Sequence, residues 1–275
     1  MCATCGCGTD GEHDHDHRHG HDHDHDHGHA HEHEHHDHHE HGAFHHEHRR
    51  TVETLDARVL ARNDALAARN RSWFAGRDIL ALNLVSGPGA GKTTLLERTI
   101  GDVGEELALH VVEGDQATAR DSERIRAAGA PVVQLNTGTG CHLDADMIGR
   151  ALGQLQPPAG AVVMIENVGN LVCPALFDLG ERAKVVILSV TEGDDKPLKY
   201  PHMFRVARLM LLNKIDLLPH VDFDVAAATD RARAVNPAIE TLELSARTGQ
   251  GLERWYGWLR QHAAAARARS ATSPP

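Results

Sequence analysis

A glycine-rich run, SGPGAGKTT at positions 86–94, contains the residue types that hold phosphates. It follows the apolar run ILALNLV and precedes LLERTI, so it is predicted to join a buried strand to a helix. Backbone N–H groups of such a loop point at phosphates, Lys92 reaches the β- and γ-phosphates, and the Thr93 hydroxyl can ligate Mg²⁺. The strict pattern asks for glycine at position 86, where this chain has Ser86. The sequence predicts a P-loop whose nucleotide-binding residues are Gly87, Gly89, Ala90, Gly91, Lys92, Thr93 and Thr94.

A second motif selects the base of the nucleotide. NKID at 213–216 follows the apolar run LMLL and matches the N-K-x-D signature of GTP-binding domains. Asp216 can accept hydrogen bonds from both the N1–H and the exocyclic amine of guanine, and Lys214 can lie along the base. A nucleotide kinase has no need to select guanine in this way, so the motif favours a GTP-binding protein over a kinase. The predicted guanine pocket comprises Asn213, Lys214 and Asp216, completed by Ser245 and Ala246 after a later strand.

Acidic residues follow two further predicted strands, at positions where α/β sheets bind ligands. LHVV ends at Glu113-Gly114-Asp115, and AVVMI ends at Glu166-Asn167-Val168-Gly169. Asp115 and Glu166 are candidates for Mg²⁺ ligation or for positioning the attacking water, and Gly169 for sensing the γ-phosphate through its N–H. The alternative is that both acids are solvated side chains at strand ends. The candidate catalytic residues are Lys92, Thr93, Asp115 and Glu166.

Three of the five cysteines lie at the N-terminus, in MCATCGC. Cys2, Cys5 and Cys7 supply soft thiolate donors close enough for one segment to wrap a single ion. With an amine or backbone nitrogen they would suit square-planar Ni(II), although Zn(II) and Cu(I) also bind thiolates. The run of imidazoles that follows, between residues 13 and 48, can buffer or store metal, and its load should fall near pH 6. The alternatives are a chance cluster of thiols and a solvated linker.

The other two cysteines occur in TGTGCHL and NLVCP. Cys141 is followed directly by His142, and Cys173 lies a few residues beyond the strand that ends at Glu166. A lone cysteine is more often a small buried apolar residue than a ligand. A Cys-His pair with a third donor in a nucleotide-sensing segment favours a metal site, and a dimer that pairs the same surfaces could complete its coordination.

Composition limits the remaining possibilities. The net charge is −11 with 24 histidines counted as neutral, so the chain offers no basic surface for nucleic acid. No run approaches the roughly 18 apolar residues needed to cross a bilayer. We therefore expect a cytoplasmic protein that binds neither nucleic acid nor membrane, in a compartment that keeps its cysteines reduced. Removal of the first 50 of 275 residues leaves 225, enough for one α/β domain.

The elements that must position these residues can be placed along the chain. The predicted fold class is α/β: a doubly wound, mainly parallel sheet that forms a P-loop GTPase domain, preceded by a disordered metal-binding tail. The expected organisation is a Cys/His-rich tail at 1–50, a helical segment at 51–77, the GTPase domain at 78–266 and a disordered C-terminal tail at 267–275.

Together these motifs resemble the hydrogenase nickel-incorporation GTPases, the HypB family of dimerising P-loop GTPases. The resemblance rests on CATCGC, the His-rich insert, SGPGAGKTT, EGDQAT, TGTGCHL, IENVGNLVCP, TEGDDKPLKYP and NKID. It implies a high-affinity nickel site at Cys2, Cys5 and Cys7, and a nickel or zinc site at Cys141, His142 and Cys173. It also implies delivery of nickel to the large-subunit precursor of a [NiFe]-hydrogenase, with help from a zinc-binding accessory protein.

In the mechanism that we expect, GTP acts as a timer. Contacts with the γ-phosphate hold Asp115 and the segment from Glu166 to Gly169 in one arrangement, and hydrolysis releases them. Because Cys173 lies on the same segment, the nucleotide would set when metal leaves, and GTP and metal would both favour a homodimer. The rival hypothesis is a nickel store whose GTPase activity matters little.

Overall fold

A computed structural model describes residues 41–115, 120–138 and 140–270 of the chain. At the borders of these ranges only the backbone is described, namely at 41–56, 115, 120 and 269–270. The predicted N-terminal metal ligands, Cys2, Cys5 and Cys7, lie outside the described residues. The chain divides into two compact units, residues 1–58 and 59–275, and the second unit contains the sheet and both candidate sites described below.

The second unit is built on a sheet of seven parallel strands, in the order β3-β2-β4-β1-β5-β6-β7. Strand β1 is central because β2, β3 and β4 lie on one side of it and β5, β6 and β7 lie on the other. On the first side, β4 is inserted between β1 and β2. This arrangement confirms the predicted doubly wound α/β fold. The strands are β1 (Leu80–Ser86), β2 (Leu109–Asp115), β3 (Val132–Asn136), β4 (Val162–Glu166), β5 (Ala183–Ser189), β6 (Ala207–Asn213) and β7 (Glu240–Glu243).

Helices cover both faces of this sheet. Three of them, α2, α3 and α9, pack against one face, while α4, α7, α8 and the end of α1 pack against the other. None of the helices in the described part of the chain combines the length and the apolar character of a bilayer span. The helices are α1 (His41–Ala75), α2 (Lys92–Leu107), α3 (Arg120–Ala127), α4 (Ala145–Leu155), α5 (Cys173–Leu176), α6 (Lys196–Lys199), α7 (Pro201–Val206), a 3₁₀ helix (Ile215–His220), α8 (Val225–Val235) and α9 (Leu252–Ser270).

The central strand β1 shows why the sequence folds in this way. Every residue of LALNLVS is buried, as expected for a parallel strand that is covered on both faces. Leu80, Leu82 and Leu84 point toward the core of α2 and α9, whereas Ala81 and Val85 belong to the cores on the opposite face. One polar residue, Asn83, interrupts this second face and is fully buried.

The structure differs from the sequence predictions in one strand and two helix ends. Strand β3 was not predicted, because it has only five residues, follows Pro131 and is partly exposed at the edge of the sheet. Helix α1 begins at His41, ten residues before the predicted helical segment, since AFHHEHRR contains no residue that would end it. Helix α9 continues to Ser270, four residues beyond the predicted domain.

Candidate nucleotide and metal sites

The predicted P-loop is the turn from the end of β1 to the start of α2, at the carboxyl edge of the sheet. Gly89 and Gly91 adopt φ values of 72° and 98°, a region that disfavours any residue with a Cβ. A Cβ on Gly91 would also lie 2.6 Å from Nδ2 of Asn213. Glycine at position 91 therefore allows both the loop conformation and the close approach of the NKID motif.

Lys92 opens α2 and points back into the loop. Its Nζ donates to Oγ of Ser86 at 2.9 Å, and Ser86 Oγ donates in turn to the carbonyl of Gly87. Burial lowers the pKa of Lys92, while nearby carboxylates, with Glu166 the strongest, oppose this effect. The serine that departs from the strict P-loop pattern thus accepts a hydrogen bond from the P-loop lysine.

Glu166, the last residue of β4, lies directly beside the P-loop. Its Oε1 accepts a hydrogen bond from Thr93 Oγ1 at 2.8 Å. Its Oε2 is buried and has no hydrogen-bond partner among the residues that the structure describes. Burial raises the pKa of Glu166 to about 7, against the opposing effects of Lys92 and Thr93. A hydroxyl and an unpartnered carboxylate oxygen at a phosphate loop are hard oxygen donors, which suit Mg²⁺.

The raised pKa of Glu166 leads to a prediction about stability. The unfolded carboxyl loses its proton at lower pH than the folded one, so the free energy of unfolding falls as pH rises from the unfolded pKa through 7. Between pH 5.5 and 8 the loss amounts to about 2 kcal/mol. Urea unfolding without nucleotide or metal should show this loss in the parent, and Glu166→Gln should remove it. The exposed Glu123→Gln is the matched control, and equal pH slopes for Glu166→Gln and the parent would contradict the assignment.

The NKID motif ends β6 and closes over the P-loop. Asn213 Nδ2 donates to the carbonyl of Ala90 at 2.9 Å, and Lys214 Nζ donates to the carbonyl of Gly89 at 2.7 Å. Asp216 Oδ1 is buried and without a hydrogen-bond partner in the described part of the chain. An acceptor left in this state is suited to a ligand that brings N–H donors. The cavity beside it measures about 290 Å³ and is lined by Gly91, Thr94, Asn213, Lys214, Asp216, Leu217, Ala246 and Arg247.

The turn after β7 completes this cavity. Asn213 Oδ1 accepts from the backbone N–H groups of Lys214 and Ala246, at 2.8 and 3.1 Å. Ser245 is fully buried, and its Oγ accepts from the N–H of Thr248. One asparagine side chain therefore joins three parts of the predicted guanine pocket: the P-loop, the NKID turn and the Ser-Ala turn.

The second site brings together three possible metal ligands. Cys141 Sγ lies 2.8 Å from Cys173 Sγ and 3.6 Å from Nδ1 of His142. The three ligand atoms all lie within 4.8 Å of one another. Burial lowers the pKa of His142, with a smaller opposing effect from Asp144, which favours the neutral imidazole that metals bind. Two sulfurs and one imidazole form a donor set typical of Zn²⁺, and Ni²⁺ also accepts it.

A single segment links this cluster to the P-loop. It begins at Glu166, passes Gly169 and ends at Cys173 in α5. A Cβ built on Gly169 would lie 3.3 Å from Cα of Pro88, so the segment touches the loop at that point. Farther along, Asn170 Nδ2 donates to the carbonyl of Cys141, and Asn170 Oδ1 accepts from the N–H of Val172. The metal cluster therefore has contacts that lead to the nucleotide loop within eight residues, 166–173.

Two groups of predicted site residues thus form compact arrangements, and two further predictions concern side chains that the structure does not describe. Asp115 ends β2 at the same edge of the sheet, but only its backbone is described, and Cys2, Cys5 and Cys7 are outside the described residues. Sequence reasoning did not single out Glu192, which stands so close to Gly87 that any Cβ there would collide with its carboxylate. Its signal was the acidic run TEGDD, which begins two residues after the end of β5.

Comparison with known proteins gives consistent matches. Residues 81–243 match the family described as CobW/HypB/UreG, nucleotide-binding domain. A hydrogenase maturation factor HypB from Rhizobium leguminosarum bv. viciae is 58% identical over 206 residues, which cover 75% of this chain and 69% of that protein. The Escherichia coli K12 protein of the same name is 56% identical over 211 residues, which cover 77% of this chain and 72% of that one.

Two crystal structures are also similar to this chain. HypB from Archaeoglobus fulgidus is 41% identical with a TM-score of 0.69, and the match covers 74% of this chain and 99% of that one. HypB from Helicobacter pylori, determined in complex with nickel, is 36% identical with a TM-score of 0.69, over 74% and 95% of the two chains.

Proposed function

Because the chain belongs to the HypB hydrogenase maturation factors of the CobW/HypB/UreG family, we propose that it is a GTPase that carries nickel and releases it to a hydrogenase precursor when GTP is hydrolysed. One observation carries this proposal: the segment that begins at Glu166, bonded to the P-loop threonine, ends at Cys173 in the candidate metal site. Nucleotide and metal therefore act on the two ends of one short piece of chain.

The choice of GTP follows from the unpartnered Asp216 carboxylate oxygen in the cavity beside Gly91. In the proposed complex this carboxylate accepts the two N–H donors on one edge of guanine, and Lys214 lies along the base. Adenine lacks this pair of donors in that arrangement. The hydrogen bond from Asn213 to the carbonyl of Ala90 holds the guanine pocket next to the phosphate loop.

In hydrolysis, the oxygen of a water molecule attacks the γ-phosphorus, the bond to the β-phosphate oxygen breaks, and the products are GDP and phosphate. Lys92 leaves Ser86 to contact the β- and γ-phosphates, where its charge offsets the charge that develops on them. Thr93 and Glu166 would hold Mg²⁺, which when bound neutralises phosphate charge. Asp115, on the neighbouring β2, is the candidate for orienting the water.

We assign the cluster of Cys141, His142 and Cys173 to nickel as cargo, with zinc as an alternative occupant. The nickel complex of the H. pylori relative supports this choice. Three ligands leave tetrahedral or square-planar coordination incomplete, and a second copy of the chain can supply the rest. Val172 and Leu176, both beside the cluster, are exposed apolar residues, as expected for such a contact. We therefore propose a homodimer that metal and GTP favour.

The N-terminal segment extends the same proposal. Cys2, Cys5 and Cys7 would form a high-affinity nickel site, and the histidines at 13–48 would buffer the metal. The proposed recipients and helpers are the large-subunit precursor of a [NiFe]-hydrogenase and a zinc-binding accessory protein. The names of the relatives as hydrogenase maturation factors support this direction of transfer.

Complementation tests the proposed function. In a bacterium that lacks its own factor of this family, the full chain should restore [NiFe]-hydrogenase activity and the nickel content of its large subunit. Lys92→Ala should restore at least about tenfold less, because loss of one phosphate-stabilising charge slows turnover strongly. The exposed Lys199→Ala is the matched control and should behave like the parent.

A further variant separates the carrier from the store. Deletion of residues 13–48 should leave maturation intact in ample nickel while reducing the nickel that the cells retain. Full maturation with Lys92→Ala, or its loss on deletion of the histidines in ample nickel, would contradict the proposal and favour a nickel store.

A further inference from the structure

Asn83 is a polar residue at a position of β1 where an apolar residue is expected. It is fully buried in the middle of the central strand β1, and its neighbours on the same face, Ala81 and Val85, belong to apolar cores. Burial of an amide is costly unless its donors and acceptors are used. Neither the nucleotide site nor the three metal ligands include it, so its contacts need another explanation.

Both ends of the Asn83 amide are used within a buried chain of hydrogen bonds. Its Nδ2 donates to Glu181 Oε1 at 3.1 Å, and its Oδ1 accepts from Nδ2 of Asn167 at 3.2 Å. Glu181 also forms an ion pair with the buried Lys184, at 3.2 Å. At the other end, Asn167 Oδ1 accepts from the backbone N–H of Leu143 at 3.3 Å. The chain thus runs from an ion pair, through two amides, to the residue that follows His142.

The chemistry of the groups fixes the direction of this chain. Glu181 Oε1 also lies 3.2 Å from the Lys184 ammonium and acts as an acceptor, so Asn83 must turn its N–H₂ toward Glu181 and its carbonyl toward Asn167. Asn167 must then turn its own N–H₂ toward Asn83, which leaves its Oδ1 for the N–H of Leu143. A rotation of either amide would oppose two acceptors or two donors. Asn167 Oδ1 also accepts from the N–H of Val168 at 3.0 Å, so Asn83 and this backbone donor together fix which atom Asn167 presents to the Cys141–His142 segment.

The same network reaches the metal ligands at a second point. Lys184 Nζ donates to the carbonyl of Phe177 at 2.9 Å, and the Phe177 ring lies against the His142 ring with centroids 3.8 Å apart and planes tilted by 31°. Leu143 is fully buried and packs so closely on Gly114 that a Cβ there would come within 2.8 Å of its side chain. The segment that carries Cys141 and His142 is thereby held on both sides.

We propose that Asn83 is a positioning residue of the metal site: by fixing the amide of Asn167, it holds the Cys141–His142 segment at binding distance from Cys173. This inference rests on the proposed metal binding at the cluster. Outer partners that orient metal ligands commonly change metal affinity by about 10- to 100-fold when they are removed. Asn83 lies on β1, the strand that leads into the P-loop, but its amide bonds Glu181 and Asn167, on the side that leads to Leu143 and the metal ligands.

Spectroscopic titration with Co²⁺ tests the proposal. In the full chain with Cys2, Cys5 and Cys7 replaced by serine, the two remaining cysteines are Cys141 and Cys173, so thiolate-to-Co²⁺ absorption reports on this cluster. Asn83→Leu should weaken Co²⁺ binding at least about tenfold while GDP affinity changes by less than about twofold. Asn167→Ala should weaken it similarly. The double variant should match Asn167→Ala, because Asn83 acts through Asn167.

Controls separate positioning from general destabilisation. Asn236→Ala removes a side chain that bonds the carbonyls of Phe204, Arg205 and Ala207, at the opposite end of β6 from the NKID motif, and should leave Co²⁺ affinity unchanged. If Asn83→Leu does not fold, Asn83→Ser, too short to bridge Glu181 and Asn167, takes its place.

The outcomes are distinct. Parent-like Co²⁺ affinity in the Asn83 variant, or additive losses in the double variant, overturns the positioning role alone. Absence of a thiolate band in the serine-substituted parent overturns the proposed metal site, and this inference with it.

Discussion

Replacement of Asp216 by asparagine is expected to reverse the nucleotide preference from GTP to xanthosine triphosphate. In the proposed pocket, the carboxylate accepts from N1–H and from the exocyclic amine of guanine. Xanthine carries a carbonyl in place of that amine, which the carboxylate repels and which an asparagine N–H₂ can donate to. Asp216 Oδ1 is buried and unpartnered within the described residues. Water therefore competes little for its hydrogen bonds to the base, and each bond contributes more to the binding free energy.

The ratio of GTP affinity to xanthosine triphosphate affinity should change by about 1000-fold or more. GTP loses a hydrogen bond to a charged carboxylate, while xanthosine triphosphate gains a neutral hydrogen bond. Competition binding with both nucleotides measures the ratio. Asp230→Asn, on the exposed side of α8, is the matched control and should keep the parent preference. An unchanged ratio in Asp216→Asn would contradict the guanine pocket.

Local motifs explain why candidate nucleotide-binding residues can be named from the sequence. SGPGAGKTT and NKID each contain several functional groups within a few residues, so their spacing is independent of the rest of the fold. The contact between them is a tertiary property. That Asn213 would bond Ala90, and that Gly91 must lack a Cβ to admit it, depends on the register of β1, β5 and β6.

The sequence predicts only that Cys141, His142 and Cys173, the candidate metal ligands, lie in the same region of the fold. Cys141 and Cys173 are 32 residues apart, and the sequence places both at the same edge of the sheet. Their sulfur atoms lie 2.8 Å apart in a structure in which Asn167 and Asn170 form hydrogen bonds with the segment that carries Cys141. The spacing of apolar residues in the sequence does not predict these bonds. Asn83 gave a visible signal, an asparagine inside the apolar run ILALNLV, but its partners, Asn167 and Glu181, lie just after β4 and just before β5.

Strand β3, at the edge of the sheet, could not be predicted from its own sequence. Val132–Asn136 forms β3, yet four of its five residues are only half-buried and the fifth is exposed, so the strand lacks the continuous apolar run of β1. Its place is determined by pairing with β2. Edge strands of this kind are specified by a neighbouring strand more than by their own composition.

In the proposed mechanism, nucleotide state sets the affinity of Cys141, His142 and Cys173 for nickel. Glu166 bonds Thr93, Gly169 touches Pro88, and Asn170 bonds the carbonyl of Cys141, so a shift of the segment with the γ-phosphate must reach the ligands. Coupling between two sites typically changes affinity by about 5- to 150-fold, and it acts equally in both directions. We expect nickel to bind at least about tenfold more tightly with a non-hydrolysable GTP analogue than with GDP.

The direct test is a nickel titration of the full chain with Cys2, Cys5 and Cys7 replaced by serine, with Mg²⁺ and either GDP or the GTP analogue. Thiolate-to-nickel absorption then reports on Cys141 and Cys173, and Cys141→Ala should remove most of it with both nucleotides. Light scattering on the same samples should show more dimer with nickel and the GTP analogue together than with either alone. We expect the affinity for nickel to be at least about tenfold higher with the analogue, whereas equal affinities, or tighter binding with GDP, would show that the nucleotide does not control the metal site in the proposed way.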